Sequence, residues 1–317
     1  MTRAPDARAR AQFAGETGDD GRFVRQVSRF RDWVTADGSS GFPAEPGRYH
    51  LYVSKACPWA HRAIIVRRLK ALEDVITMSV VDPIRDERGW RFGEGRGFSP
   101  DPVNGFAFLA EAYHATDPDF AGRVTVPVLW DRETGRIVNN ESADVIRMLN
   151  SAWDAWGDAS LDLDPADLRA EVDAINDRVY RDVNNGVYRA GFATTQEAYE
   201  EAFDALFDRL EELDRLLLER RYLAGDRITL ADWRLFTTLI RFDSVYVGHF
   251  KCNLRRIADH AALWPYLREL YQWPGVADTV DFDHIKRHYY VTHDSINPTG
   301  IVPKGPELDL TQPHDRG

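Results

Sequence analysis

The spacing of apolar residues changes about halfway along the chain. Between residues 49 and 149, short strand-like runs alternate with helical ones. Tyr49-His50-Leu51-Tyr52-Val53 has the aromatic and β-branched content of a strand, and Ala60 to Leu72 carries Ala63, Ile64, Val66 and Leu69 at helical spacing. The pattern next predicts a strand at Val75 to Val81, a Gly/Arg-rich loop from Pro83 to Asn104, and a helical stretch from Phe106 to Tyr113. A third strand at Val124 to Trp130, a turn at Glu133-Thr134-Gly135, a short strand at Arg136-Ile137-Val138 and a helix from Ser142 to Leu149 complete the run. Strands alternating with helices and closing on a hairpin describe a small α/β domain, 48–150.

From about Asp164 the pattern is helical throughout. Val172, Ile175, Val179 and Val183 form one stripe, and Phe203, Leu206, Phe207, Leu210, Leu213 and Leu217 a second. Thr229-Leu230-Ala231-Asp232 reads as a capping box ahead of the apolar run Trp233 to Ile240, which predicts a buried central helix. An all-helical domain is therefore expected over 165–317. The boundary falls in Asn150 to Pro165, where two Trp and several Asp interrupt the periodicity. Ahead of both domains, 1–47 reads as an irregular arm holding Phe23, Phe30, Trp33 and Phe42, with Met1 to Gly21 as an exposed tail.

Composition narrows the function classes. A 317-residue chain with 44% hydrophobic residues is long enough for two self-sufficient cores. Its two cysteines, Cys57 and Cys252, cannot staple so large a protein, which fits a reducing, cytoplasmic setting. The net charge of −11 argues against general affinity for nucleic acid, and no apolar run approaches the length needed to span a membrane.

The chemistry concentrates at Cys57-Pro58-Trp59-Ala60, between a predicted strand and a predicted helix. Unpaired amides and the partial positive charge at a helix start favour a thiolate, and proline suits the first helical position. Ala60 stands where a resolving thiol would be, so Cys57 has to work as a monothiol with a small-molecule partner thiol such as glutathione. For Cys252 the structural role is the expectation. Val126-Pro127 at a strand start points to a cis bond and to a backbone edge able to pair with an extended peptide ligand. Glu141-Ser142 supplies a cap hydroxyl and free helix amides suited to a carboxylate.

In this order Cys57-Pro58-Trp59-Ala60-His61-Arg62, Gly89-Trp90, Val126-Pro127 and Glu141-Ser142, followed by a helical half, resemble the glutathione transferases. Asn184-Asn185-Gly186-Val187-Tyr188-Arg189-Ala190-Gly191-Phe192-Ala193, together with His288-Tyr289-Tyr290 and His293, resembles more narrowly the Xi class, the glutathionyl-hydroquinone reductases. The resemblance implies a thioredoxin-like N-terminal domain joined to a helical C-terminal domain, a homodimer, and reduction of glutathionyl-hydroquinones with release of glutathione disulfide. It further implies Cys57 as nucleophile, Tyr188 as general acid/base, and Tyr246 and Tyr289 as hydroxyl donors that help keep Cys57 ionised. Trp90, Arg123, Val124, Thr125, Val126, Glu141 and Ser142 would hold glutathione. A monothiol thioltransferase or dehydroascorbate reductase, or a non-catalytic binding protein of the same fold, are the alternatives.

Other patterns carry less. His284 and His288 share a helix face at a zinc-binding spacing, but Ile285 replaces the expected Glu and no metal site is expected. Arg67-Arg68 and Arg220-Arg221 read as solvated helix faces, while Lys55 and Arg62 beside the helix start either add to the positive potential that receives an anionic ligand or are simply solvated. The Gly93–Gly97 stretch lacks the ending of a phosphate loop.

Overall fold

A computed structural model describes residues 14–316. The chain divides into two compact units: one of Val27–Pro165 and Trp273–His288, the other of the residues up to Gln26, Ala166–Gln272 and those from Tyr289 on. The arm is thus shared between them. The part of the expected exposed tail that precedes residue 14 lies outside the described residues. From Ala14 on the segment is folded and only partly exposed: Val24 N–H donates to Glu16 O (2.8 Å) and Gly18 N–H to Arg22 O (2.9 Å), Glu16 and Gly21 are buried, and Gly15, Asp19 and Asp20 stay exposed.

The first unit is built on a four-stranded sheet ordered β2-β1-β3-β4, of β1 (Tyr49–Val53), β2 (Thr77–Val80), β3 (Val128–Asp131) and β4 (Arg136–Asn139). β1 pairs parallel with β2 and antiparallel with β3, and β3 pairs antiparallel with β4. The parallel pair requires a crossover, supplied by α1 (Pro58–Leu69). All five β1 residues are buried, which explains a strand that reads as an uninterrupted run.

β2 starts at Thr77 instead of Val75, and two further elements start later still than the pattern predicted. β3 opens at Val128, not Val124, because Pro127 offers no ladder N–H and Thr125 is tied elsewhere. α2 (Ala110–Thr116) starts past Phe106 because the Glu111 carboxylate takes the Ala107 and Phe108 amides, each at 2.8 Å, and fixes the helix entry there. α3 (Ser142–Ser151) follows the hairpin and packs against α1. The hairpin is anchored by buried Asp131, which accepts two 2.9 Å bonds from Arg48 and one of 2.7 Å from Thr134.

The second unit contains α4 (Arg169–Val179), α5 (Gly186–Gly191), α6 (Gln196–Glu219), α7 (Leu230–Arg241) and α8 (Leu263–Tyr271), and α9 (Phe282–Thr292) runs across the division. Both apolar stripes are buried except at Phe203, which is half-buried. α7 is the buried central helix. Asp232 closes its capping box on Thr229 N–H (2.8 Å), and also accepts Leu223 N–H (2.9 Å) and Tyr266 O–H (2.7 Å). Burial pushes the Asp232 carboxyl upward in pKa, and these donors work against that shift.

Two single turns of π-helix interrupt the helical run, at Tyr180–Asn184 after α4 and at Phe242–Tyr246 after α7. Each is closed by a bond spanning five residues, Asn185 N–H to Tyr180 O (2.8 Å) and Val247 N–H to Phe242 O (3.0 Å). Such bulges rotate the side chains that follow them off the regular helical stripe. Periodicity alone does not reveal them.

Candidate active site

In the sheet unit, Cys57 is the N-cap of α1, in extended conformation, with Pro58 as the first helical residue. Its carbonyl accepts His61 N–H at 3.0 Å, which starts the helix. Its thiol is half-buried and faces the carbonyl of Val126, Sγ to O 3.7 Å. The Val126-Pro127 bond is cis. The residues before it are fastened by a side chain the sequence did not point to. The Tyr113 hydroxyl donates to Thr125 O (2.8 Å) and accepts Thr125 N–H (3.0 Å), and Asn140 Nδ2 donates to the same hydroxyl (3.1 Å). Arg123 and Val124 lie half-buried on this segment.

The cap of α3 differs from expectation. Glu141, not Ser142, is the capping side chain, and its carboxylate accepts Ala143 N–H at 3.1 Å. Ser142 is the first helical residue, and its hydroxyl accepts from Arg62 Nη1 at 3.2 Å. Arg62 is correspondingly buried, not solvated, with its guanidinium 4.4 Å from the Trp59 ring centre. Lys55 is half-buried, 3.9 Å from Asp281. Arg67 is also buried. It donates to the carbonyls of Ile76 (2.6 Å) and Glu73 (2.9 Å), because the chain beyond α1 turns back over its side chain.

Trp90 is buried, with the His288 ring stacked on it at 5.0 Å and the Arg85 guanidinium 4.6 Å from its centre. The two α9 histidines hold the long loop: His288 Nδ1 meets Pro83 O at 2.7 Å and His284 Nε2 meets Arg96 O at 2.6 Å. Their shared face thus serves loop carbonyls. Among the described residues no group of three or more His, Cys, Asp or Glu could hold a metal ion.

In the helical unit the three tyrosines converge. Tyr289 O–H lies 2.5 Å from the Tyr188 hydroxyl and 3.0 Å from that of Tyr246, so one residue links the other two. Burial pushes the Tyr246 and Tyr289 hydroxyls well above the usual phenol pKa, and neighbouring Tyr188 adds to it, so both keep their protons. Rings of Phe192, Phe250 and His293 pack around them, and His293 Nδ1 lies 3.1 Å from His249 Nε2. The 184–193 motif has a physical reading here. Asn184 Nδ2 donates to Arg234 O (3.0 Å) and Thr238 Oγ1 (2.8 Å), locking the π-turn to α7. A Cβ at Gly191 would lie 2.2 Å from the Phe250 ring, so only glycine admits that ring.

Cys252 is fully buried, and burial pushes its thiol upward in pKa, away from reactivity. A charged surface cleft of about 440 Å³ is lined by Arg181, Asp182, Arg189, Glu201, Arg209 and Glu212, among others, and holds none of the expected catalytic or glutathione-binding residues, although Arg189 belongs to the 184–193 motif.

Residues 56–152 match the family model of the glutathione S-transferase N-terminal domain, and residues 196–269 that of the C-terminal domain. The chain is 52% identical over 303 residues to the glutathionyl-hydroquinone reductase YqjG of Escherichia coli (strain K12), covering 93% of this chain and 92% of the relative. It is 54% identical over 290 residues to the glutathionyl-hydroquinone reductase PcpF of Sphingobium chlorophenolicum, covering 92% and 91%. The chain belongs to the glutathionyl-hydroquinone reductases, the Xi class of glutathione transferases. This member of the family has the expected thioredoxin-like and helical parts. It matches a solved Xi class glutathione transferase from Natrialba magadii with TM-score 0.89 at 51% identity, over 94% of this chain and 95% of that one. The glutathione-bound structure of YqjG matches with TM-score 0.89, over 90% and 96%.

Proposed function

We propose that the chain reduces glutathionyl-hydroquinones to hydroquinones, using glutathione and releasing glutathione disulfide. The observation that carries this reading is the buried hydroxyl chain Tyr246–Tyr289–Tyr188. Thiol–disulfide exchange needs no such proton donor, whereas cleaving a carbon–sulfur bond on an aromatic ring does.

In this reading the Cys57 thiolate attacks the glutathionyl sulfur of the conjugate. A sulfur–sulfur bond forms, the carbon–sulfur bond breaks, and its electron pair stays on the ring carbon, which takes a proton from the Tyr188 hydroxyl. Tyr289, protonated and bonded to Tyr188, stabilises the developing phenolate, and Tyr246 supports Tyr289 through their shared hydrogen bond. A second glutathione, as thiolate, then attacks the Cys57–glutathione disulfide. Glutathione disulfide leaves, Cys57 is restored, and the proton lost by that thiol returns the one spent by Tyr188.

The segment Arg123–Val126 and Trp90 are the proposed holders of glutathione, with the Val126 backbone as the pairing edge. Arg123 and the α3 amides beside Glu141 and Ser142 would supply local positive potential inside a negative chain. By resemblance the chain works as a homodimer, and its two cysteines favour a reducing, cytoplasmic setting. No helix among the described residues is long and apolar enough to cross a membrane.

The test is hydroquinone release from a glutathionyl-hydroquinone beside reduction of a glutathione mixed disulfide. Cys57→Ala should lose both activities. Tyr188→Phe should slow hydroquinone release about 100-fold and disulfide reduction far less. A wild type that reduces the disulfide but releases no hydroquinone is a thioltransferase instead.

A further inference from the structure

We infer that Arg25, on the N-terminal segment, is a positioning residue for the Tyr188 proton donor, an inference that rests on the reading of Tyr188 given above. The Arg25 guanidinium carbon lies 4.8 Å from the centre of the Tyr188 ring and 5.2 Å from that of Phe23. Arg25 Nε donates to Asn185 Oδ1 at 2.7 Å, so the group is aimed by the same π-turn and α5 segment that carries Tyr188. The segment behind it is fixed to that corner. Thr194 N–H donates to Gly21 O (3.0 Å), Thr195 Oγ1 to Asp20 O (3.1 Å) and Arg22 Nε to Glu201 (3.0 Å), while Phe23 packs on Phe192 at 5.5 Å.

A cation over a phenol ring does two things. It restrains the ring, and it stabilises negative charge that spreads into the ring as the hydroxyl gives up its proton. The second effect grows along the reaction coordinate, so it lowers the barrier for proton donation instead of tightening substrate binding. The partner group is thereby specified: Tyr188 carries an aromatic cation contact in addition to its hydrogen bond with Tyr289. The step in which a second glutathione resolves the mixed disulfide puts no proton on carbon and gains nothing from Arg25.

The experiment measures single-turnover hydroquinone release and glutathione mixed-disulfide reduction for wild type, Arg25→Met, Arg25→Lys and Tyr188→Phe. Arg25→Met should slow hydroquinone release roughly tenfold, with the KM for the conjugate little changed, and slow disulfide reduction much less. Arg25→Lys, which keeps the charge, should recover part of the loss. If Arg25→Met lowers the melting temperature, Arg25→Lys carries the comparison, with a loss confined to hydroquinone release as the supporting result. Equal losses in both assays would reduce Arg25 to holding the arm in place, and an unchanged release rate would remove it from the chemistry. Loss of release in Tyr188→Phe without loss in Arg25→Met overturns the Arg25 inference alone, whereas no release by wild type overturns the Tyr188 reading and this one with it.

Discussion

Gly191 shows how much of the tyrosine arrangement depends on one missing side chain. With a Cβ position 2.2 Å from the Phe250 ring, Gly191→Ala has to displace that ring, and Phe250 in turn contacts Tyr188, Tyr246 and Tyr289 at centroid distances of 5.5, 5.6 and 5.7 Å. The substitution should cost about 1–3 kcal/mol in urea unfolding. A larger fractional loss of hydroquinone release than of disulfide reduction should accompany it, and unaltered stability would show that the ring relaxes freely. At this scale Cys57 was legible in the sequence, because its setting is local: a strand, a proline and a helix start. The linked tyrosines were not. Their hydroxyls meet across 101 and 43 residues of chain, so no spacing rule joins them, and only family resemblance singled them out from twelve.

The elements were legible where the pattern of burial is regular and illegible where side chains override it. β1 was readable to the residue because both its faces are buried. β3 and α2 were displaced by local capture of backbone groups, Thr125 by Tyr113 and the Ala107 and Phe108 amides by Glu111, and such bonds leave no trace in hydrophobic periodicity. The same holds for the π-turns. One immediately precedes the segment that carries Asn185 and Tyr188, and the other ends on Tyr246. Arg62 and Arg67 are buried for a related reason: a guanidinium on a buried helix face is tolerated when carbonyls, a hydroxyl or an aromatic ring receive it, and the carbonyl and hydroxyl partners lie on other segments, where spacing along the helix does not show them.

At the scale of the whole molecule, two buried histidines lower stability in acid. The His50 and His249 imidazoles are pushed down to about 4, chiefly by burial, with the Arg132 and Lys251 cations adding to it. The unfolded chain takes up these protons below about pH 6.5 while the folded chain does not, so their contribution to stability is complete above that value. It falls between pH 6.5 and 4, by up to about 3 kcal/mol for each histidine. His249→Asn cannot take up that proton, so the stability gap between wild type and variant in urea unfolding should narrow on going from pH 7 to pH 4. A gap that stays constant would mean that His249 titrates alike in both states. The two-unit organisation was visible in outline as a change of period. That residues 273–288 group with the sheet unit was not, since the helical period runs on through α9 without a break.

The central claim is that Cys57 takes the glutathionyl group from an aromatic conjugate. Mixing the protein with a glutathionyl-hydroquinone in the absence of free glutathione, followed by rapid acid quench and peptide mass spectrometry, reads this step alone. The account predicts one glutathionyl group on the Cys57 peptide, none on the Cys252 peptide, and hydroquinone released in equal amount. Hydroquinone released with Cys57 left unmodified would contradict it.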